Sequence, residues 1–186
     1  MATQIQPLVT VDDLEYMPED GNRYEVIEGE LIVSKAPGLT HQAVSVALTI
    51  RLGNYLLDNP IGRIWTTPGV VFGEISGVIP DIAYISSERL KKIASGERIE
   101  GAPDLVIEIV SPGIPSAQRD RVVKKQLYGK YSVKEYWLVD LIRRTVEVYL
   151  LRGSTLELAA TYSGQEEVVS SLLPGFRSKV DEMFRV

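Results

Sequence analysis

A run of apolar residues between Pro103 and Ser111-Pro112 predicts a β-strand, because aliphatic and β-branched side chains follow one another there without a turn residue. Apolar residues on both faces are typical of a central strand that is covered on both sides. Glu108 interrupts this run. Since side chains alternate along a strand, Glu108 shares a face with Asp104, Val106 and Val110. A carboxylate in that position is unfavourable unless it is paired, protonated or bound to a metal ion. Glu108 is therefore a candidate functional residue, and a strand-end glutamate that is solvated or paired with an arginine is the alternative.

The pattern elsewhere predicts helices and strands in mixed order. Predicted helices cover residues 11–17, 40–57, 86–93, 115–131 and 179–183, with Thr10, Thr40 and Ser86 as caps. Predicted strands, besides the one containing Glu108, cover residues 23–27, 30–34, 63–67, 70–74, 80–85, 135–140, 145–151 and 156–162, with a turn at residues 77–79 and a polar loop at residues 96–101. A helix between early strands, then strand-helix-strand and a late antiparallel set, predicts an α/β (α+β) fold with a mixed sheet.

Composition indicates one ordinary globular domain. The chain has 186 residues, of which 45% are hydrophobic and 24% charged. No apolar run approaches the roughly 18 residues of a membrane span, and residues 1–13 lack the pattern of a signal peptide. There is no cysteine, which fits a cytoplasmic location and excludes disulfides, thiolate zinc sites and a cysteine nucleophile.

The single histidine, His41, argues against a Ser-His-Asp triad or a metal site built from several histidines. Any metal site would use carboxylates, which favour hard cations such as Mg²⁺ or Mn²⁺. The net charge of −5 and pI of about 5.0 argue against broad, sequence-independent binding of nucleic acid. A phosphodiester substrate would therefore require a locally basic face. The predicted helix 115–131 supplies one through Arg119, Arg121, Lys124, Lys125 and Lys130.

Two further features point to candidate residues. Pro80-Asp81 and Pro103-Asp104 each begin a predicted strand, which places an aspartate at the strand mouth, where open sheets tend to bind ligands. Either Pro-Asp pair is equally compatible with an ordinary turn. On helix 115–131, helical spacing puts Lys124 on the stripe that faces the sheet and Lys125 towards solvent. Lys124 then either shares a site with Glu108 or forms a pair with Asp120 one helical turn away.

Several segments together resemble a known family. They are residues 78–83 (VIPDIA), 102–112 (APDLVIEIVSP), 133–140 (VKEYWLVD), and Asp120, Lys124 and Tyr128 at a spacing of four. Residues 23–31 (RYEVIEGEL) and the helix of His41 also look like this family, so that the resemblance covers about residues 10–150. The family is the Uma-two-type family of restriction endonucleases, in the PD-(D/E)XK nuclease superfamily.

The resemblance implies a restriction endonuclease-like mixed β-sheet flanked by helices, with residues 1–186 as a single domain and an antiparallel meander at the C-terminal end. It implies a nuclease that cleaves DNA with Mg²⁺ or Mn²⁺, without membrane association and with a homodimer as the expected assembly. Asp81 and Glu108 match the metal-binding acids of the motif. Lysine is expected two residues after Glu108, where this chain has Val110, and Lys124 matches the family's displaced lysine.

Other residues are possible members of the cleft. They are Glu28, His41, Asp104, Asp120 and Tyr128. Glu28 and His41 are also readily explained as a hairpin-turn residue and a first-turn helix residue. Two other functions stay open: a nuclease fold without activity that serves as a binding or regulatory module, and a self-associating structural protein in which Tyr136 and Trp137 offer exposed aromatic surface.

Overall fold

A computed structural model of the chain describes residues 7–94, 96–110 and 119–185, with the backbone alone for residues 119–121. Thirteen strands lie in three sheets within these ranges. The helices are α1 (Leu39–Asp58), α2 (Ser87–Ile93), α3 (Lys125–Lys130), which continues a π-helical turn (Arg119–Lys124), and α4 (Val180–Met183). A 3₁₀ turn (Asp12–Tyr16) precedes the first strand.

A six-stranded sheet forms the centre of the fold. Its strands in spatial order are β11 (Thr155–Ser163), β10 (Thr145–Arg152), β9 (Glu135–Asp140), β8 (Leu105–Val110), β6 (Ile82–Ser86) and β3 (Gly62–Thr66). Strands β8 and β9 are parallel and every other pair in this sheet is antiparallel. All six residues of β8 are buried, as the sequence predicts for a central strand.

A second sheet of five strands covers part of the first. Its order is β2 (Glu30–Ser34), β1 (Arg23–Ile27), β5 (Ser76–Val78), β4 (Val70–Gly73) and β7 (Ile99–Glu100). Only β4 and β7 run parallel. A short pair, β12 (Glu167–Val168) and β13 (Ser178–Lys179), closes the C-terminal segment.

Two hydrophobic cores lie on opposite faces of the six-stranded sheet. On one face, Ile107 and Trp137 pack with α1 and with the C-terminal segment. On the other face, Val106 and Tyr136 pack with the five-stranded sheet and with α3. Because β8 alternates, Glu108 belongs to this second face and points between the two sheets towards α3. The fold therefore turns the one carboxylate of β8 into the interior.

Most predicted elements are confirmed, and the hairpin 23–27/30–34 and the strand 135–140 have the predicted bounds. Residues 96–101, predicted as a loop, contain β7, because backbone pairing with β4 gives even two residues a strand geometry. Thr40 is not the cap of α1: the helix begins at Leu39, and Gly38 precedes it in extended conformation. The predicted start of the helix at residues 115–116 lies outside the described residues.

The proposed aromatic interface at Tyr136 and Trp137 is wrong. Both side chains are fully buried in β9, one in each core. They lie on opposite faces of the strand as predicted, but both faces of this strand are covered, so neither ring is available to a partner.

None of the helices in the described part of the chain combines the length and apolar character that crossing a bilayer requires.

Asp104 joins the elements at the start of β8. Its buried carboxylate accepts hydrogen bonds from the backbone N–H of Ser86 at 2.9 Å and from Arg89 Nη1 at 2.9 Å, and Lys134 Nζ lies 2.7 Å away. Burial raises the pKa of Asp104, but these three partners outweigh it and hold the pKa below the ordinary value of 3.8. The ionised carboxylate thus ties α2, β8 and the start of β9 together.

We expect Asp104→Asn to lower the free energy of unfolding by about 1–3 kcal/mol at pH 7, because the ionic hydrogen bonds are lost. The folded-state pKa of Asp104 is depressed, so its contribution is complete above the unfolded pKa and is lost as the pH falls through the folded pKa. Denaturant melts of wild type and variant should therefore converge at acid pH. Asp12→Asn, at an exposed aspartate, is the control, and a constant gap from pH 7 to pH 2.5 would contradict this account.

Candidate active site

Lys124 is the centre of a buried polar cluster between the two sheets. Its ammonium nitrogen lies 3.0 Å from Glu108 Oε1 and 2.9 Å from Glu25 Oε1. The hydroxyl of Tyr128, one turn further along the helix, donates to Glu108 Oε1 at 2.5 Å. All four side chains are buried, and the lysine points inward as its helical position predicts. A lysine bridging two carboxylates relieves the cost of burying either charge.

Glu25 reaches this cluster from the hairpin β1–β2. Residues 25–27 of β1 are buried, and Val26 pairs with Gly77 of β5. The chain after β5 then turns so that the backbone N–H of Ile79 donates to Glu25 Oε1 at 2.7 Å. One carboxylate oxygen therefore bonds both to Lys124 and to the segment that leads into Pro80-Asp81.

Asp81 lies beside Glu108 because of the strand register. Ile82 pairs with Ile107 in the antiparallel pair β6–β8, so that the next position outward sets Asp81 against Glu108. Asp81 Oδ2 accepts the backbone N–H of Ile109 at 2.8 Å and His41 Nε2 at 3.0 Å, and Arg23 Nη1 donates to Oδ1 at 3.3 Å. The register thus holds Asp81 against the backbone of β8, next to the strand position of Glu108.

The charges around Asp81 keep it ionised. Burial raises the pKa of Asp81, but the hydrogen bond and charge of His41, the N–H of Ile109 and the charge of Lys124 lower it below its usual value. Tyr128 shows the opposite effect: burial, and then the neighbouring charge of Glu108, raise its pKa well above the ordinary value. Tyr128 therefore remains a protonated donor that fixes the Glu108 carboxylate.

The chemistry of these donors fits a hard divalent cation. Glu25 of β1, Asp81 at the start of β6 and Glu108 of β8 offer carboxylate oxygens, the ligand type that Mg²⁺ and Mn²⁺ prefer. Within residues 7–94, 96–110 and 119–185, no three acidic or histidine side chains converge closely enough to hold an ion as they stand. Instead, the ammonium of Lys124 occupies the space between Glu25 and Glu108. An ion would bind by sharing these carboxylates with the lysine.

The other predicted cleft residues are more dispersed. His41 and Tyr128 are in the cluster, as described above. Glu28 is in the exposed hairpin turn with φ 52° and pairs with Lys130 Nζ at 2.6 Å, so it contacts a different part of α3. Asp104 is four residues from Glu108, roughly 13 Å along the strand. Asp120 belongs to the π-helical turn, and its side chain lies outside the described part of the structure.

Glu25 and Arg23 are the residues that sequence reasoning missed. Their segment, RYEVIEGEL, is part of the family resemblance, which implies the turn residue Glu28 as its cleft residue. A signal was present: Glu25 precedes two apolar residues within a predicted strand, the same conflict that identifies Glu108. Nothing in the local pattern indicates that Arg23 would reach Asp81, because that contact joins residues 58 positions apart.

Comparison with known proteins places the chain in a family. A family model described as Uma2, putative restriction endonuclease, matches residues 11–181. The fold is similar to the crystal structure of a putative nuclease belonging to DUF820 from Anabaena variabilis, with a TM-score of 0.79 and 24% identity over 95% of this chain and 97% of that one. No curated protein matches significantly. The structural similarity confirms the mixed α/β fold, and the family match covers nearly the whole sequence. The chain belongs to the Uma2 family of putative restriction endonucleases.

Proposed function

We propose that this protein is a metal-dependent endonuclease that hydrolyses phosphodiester bonds of DNA. The family supports a restriction-endonuclease-like nuclease. The observation that carries the more specific proposal is the buried ammonium of Lys124, held between Glu25 and Glu108 and close enough for its charge to lower the pKa of Asp81. The proposal treats residues 1–186 as one nuclease domain.

Asp81 and Glu108 would hold Mg²⁺ or Mn²⁺, with Glu25 as a third carboxylate within the same cluster. A bound ion of this kind lowers the pKa of a coordinated water and acts as a Lewis acid towards phosphate. The remaining roles belong to the chain itself. Tyr128 donates to Glu108 and keeps its carboxylate oriented, and the backbone N–H of Ile109 does the same for Asp81.

Lys124 supplies the positive charge that phosphodiester hydrolysis requires. Its ammonium has three N–H donors, and a group that already contacts two of the acids lies within reach of a phosphate held beside them. Hydrogen bonds from a fixed cation to developing negative charge stabilise the transition state more strongly in a buried site than in water. The motif expects a lysine two residues after Glu108, where this chain has Val110. Lys124 would therefore perform the role of that lysine.

A homodimer is part of the proposal, because one such site cuts a single strand and a cut in two strands needs two sites. The dimer stays a prediction for sedimentation analysis to test, and the buried rings of Tyr136 and Trp137 give it no support. The alternative, a nuclease fold that only binds its partners, differs from the proposal in the outcome of the following two experiments.

We expect wild-type protein to bind Mn²⁺ in isothermal titration calorimetry and the double variant Asp81→Asn/Glu108→Gln to lose this binding. The amides keep the shape of the site and remove the two charges that hold the ion. Glu30→Gln, at an exposed glutamate on the same hairpin as Glu25, should bind like wild type. Equal Mn²⁺ binding by wild type and the double variant would contradict the assignment of Asp81 and Glu108.

We expect Lys124→Gln to reduce the rate of plasmid or oligonucleotide cleavage with Mg²⁺ or Mn²⁺ by about 10²–10³, the order observed when one stabilising donor is removed from an active site. Lys125→Gln is the matched control, because the next residue contacts the ring of Tyr149 rather than the acids. Circular dichroism checks that both variants are folded. If wild type cuts no DNA under these conditions, or if both lysine variants cut equally, catalysis by Lys124 is refuted.

A further inference from the structure

A pocket opens beside Asp81. It has a volume of about 440 Å³ and lies between α1 and the end of β3. Ser45, Val46 and Thr49 of α1 form one wall, and Thr66 and Thr67 form the other. Arg23, His41 and Asp81 also line it, so the pocket and the acidic cluster share the Asp81 carboxylate.

We propose that this pocket binds one unpaired nucleotide of the DNA strand, adjacent to the phosphate that is cut. The inference rests on the proposed nuclease function and specifies its substrate: a strand with at least one nucleotide outside the duplex. The inference assigns a role in substrate binding to residues outside the acidic cluster, namely Ser45, Val46, Thr66 and Thr67.

The walls have the chemistry of a nucleoside site. Val46 and Ile50 are more than half exposed and present apolar surface on which a base or sugar can pack. Hydroxyl groups from the opposite wall can bond to base edges or sugar oxygens. A volume of about 440 Å³ falls in the range of pockets that hold small organic ligands and is far larger than a single phosphate needs.

The positive charge of Arg23 determines which end of the pocket the phosphate of the bound nucleotide occupies. Arg23 lines the pocket with its side chain about one-quarter exposed and directs one nitrogen to Asp81. A guanidinium carries five N–H donors in a planar fork that suits phosphate oxygens. The phosphate would therefore lie at the end near Arg23 and Asp81, and the neutral part of the nucleotide between α1 and β3.

Thr67 gives independent support. Its φ of 48° is in the left-handed region, which a β-branched residue rarely adopts. The backbone N–H of Thr67 donates to the carbonyl of Asp81 at 2.9 Å, so the strained turn is fixed to the residue that joins the pocket to the acids. Strained non-glycine residues occur preferentially at ligand sites. A residue suited to this conformation, such as glycine or asparagine, would form the turn at lower cost but without this side chain in the pocket wall.

A base inside a duplex is stacked and paired, so it cannot enter a pocket in a protein wall without leaving the stack. An intact duplex would place only its backbone at Asp81 and leave the pocket empty. A single strand, or a duplex with a flap or mismatch, offers a free nucleotide without that cost. The geometry therefore favours unpaired DNA.

Fluorescence anisotropy without added metal tests this proposal, using a labelled single-stranded oligonucleotide and the same strand in a duplex. We expect wild type to bind the single strand more tightly than the duplex. Ser45→Leu, which fills the pocket, should weaken single-strand binding roughly tenfold, the order expected for loss of one packed base. Asn54→Leu places the same residue on an exposed site of the same helix and should bind as wild type does.

A second measurement leaves the protein unchanged. In metal-dependent cleavage of the single strand, one abasic position next to the cut should slow the reaction about as much as Ser45→Leu does, and abasic positions several nucleotides away should not. Equal affinity for single strand and duplex, wild-type binding by Ser45→Leu, or no effect of any abasic position would overturn the inference. If wild type nevertheless cuts DNA, the proposed nuclease function survives, and only failure of the cleavage and Mn²⁺ experiments removes it.

Discussion

The contact of Lys124 with both Glu25 and Glu108 is the interaction on which the interior of this protein depends. Two carboxylates facing each other between packed sheets would repel strongly in a medium of low dielectric constant. A buried ammonium at 2.9 and 3.0 Å removes that repulsion and draws α3 onto the sheets. Removing one partner of such a set costs more than the set contributes, because the remaining charges stay buried. The polar cluster therefore constrains how the hairpin, the central strand and the helix pack together.

Three simple geometric rules bring the site together. Alternation along β8 turns Glu108 to the face that holds α3, and antiparallel register sets Asp81 against it. Helical spacing places Lys124 and Tyr128 one turn apart on the same side of the helix, where both contact one oxygen of Glu108. Each rule acts within one element or one pair of elements. Only their combination, through the sheet order, produces a site from residues that are distant in the sequence.

The same rules explain how far the sequence could be interpreted. Glu108 and Lys124 were predictable as inward-facing because strand alternation and helical periodicity are local properties, and both side chains are indeed buried. Asp104 and Asp81 both follow a proline, yet only Asp81 lies near Glu108. Asp104 is at the start of β8, whereas Asp81 contacts the backbone near its other end, at Ile109. The pairing of β6 with β8 determines where Asp81 lies along β8, and no local sequence pattern predicts that pairing.

The β1–β2 hairpin shows that the sequence does not predict which of its glutamates becomes buried. Glu25 and Glu28 are three residues apart in a segment whose two strands were predicted with the observed bounds. Which carboxylate enters the interior depends on β1 packing against β5, a contact made across about fifty residues of chain. The family resemblance implies Glu28 as a cleft residue, whereas the buried carboxylate is that of Glu25. Tertiary packing, rather than propensity, selects Glu25.

Charge balance connects the acidic cluster with its neighbours. Glu25, Asp81 and Glu108 together carry three negative charges, which face the two positive charges of Lys124 and Arg23 and the ring of His41. A divalent ion bound to these carboxylates would give the site a net positive charge, which favours a phosphate. Arg23 contacts Asp81 and also lines the pocket, so an arriving phosphate would compete with Asp81 for the guanidinium. A phosphate that draws Arg23 away frees a carboxylate oxygen for the ion. Metal and substrate should therefore each make binding of the other more favourable.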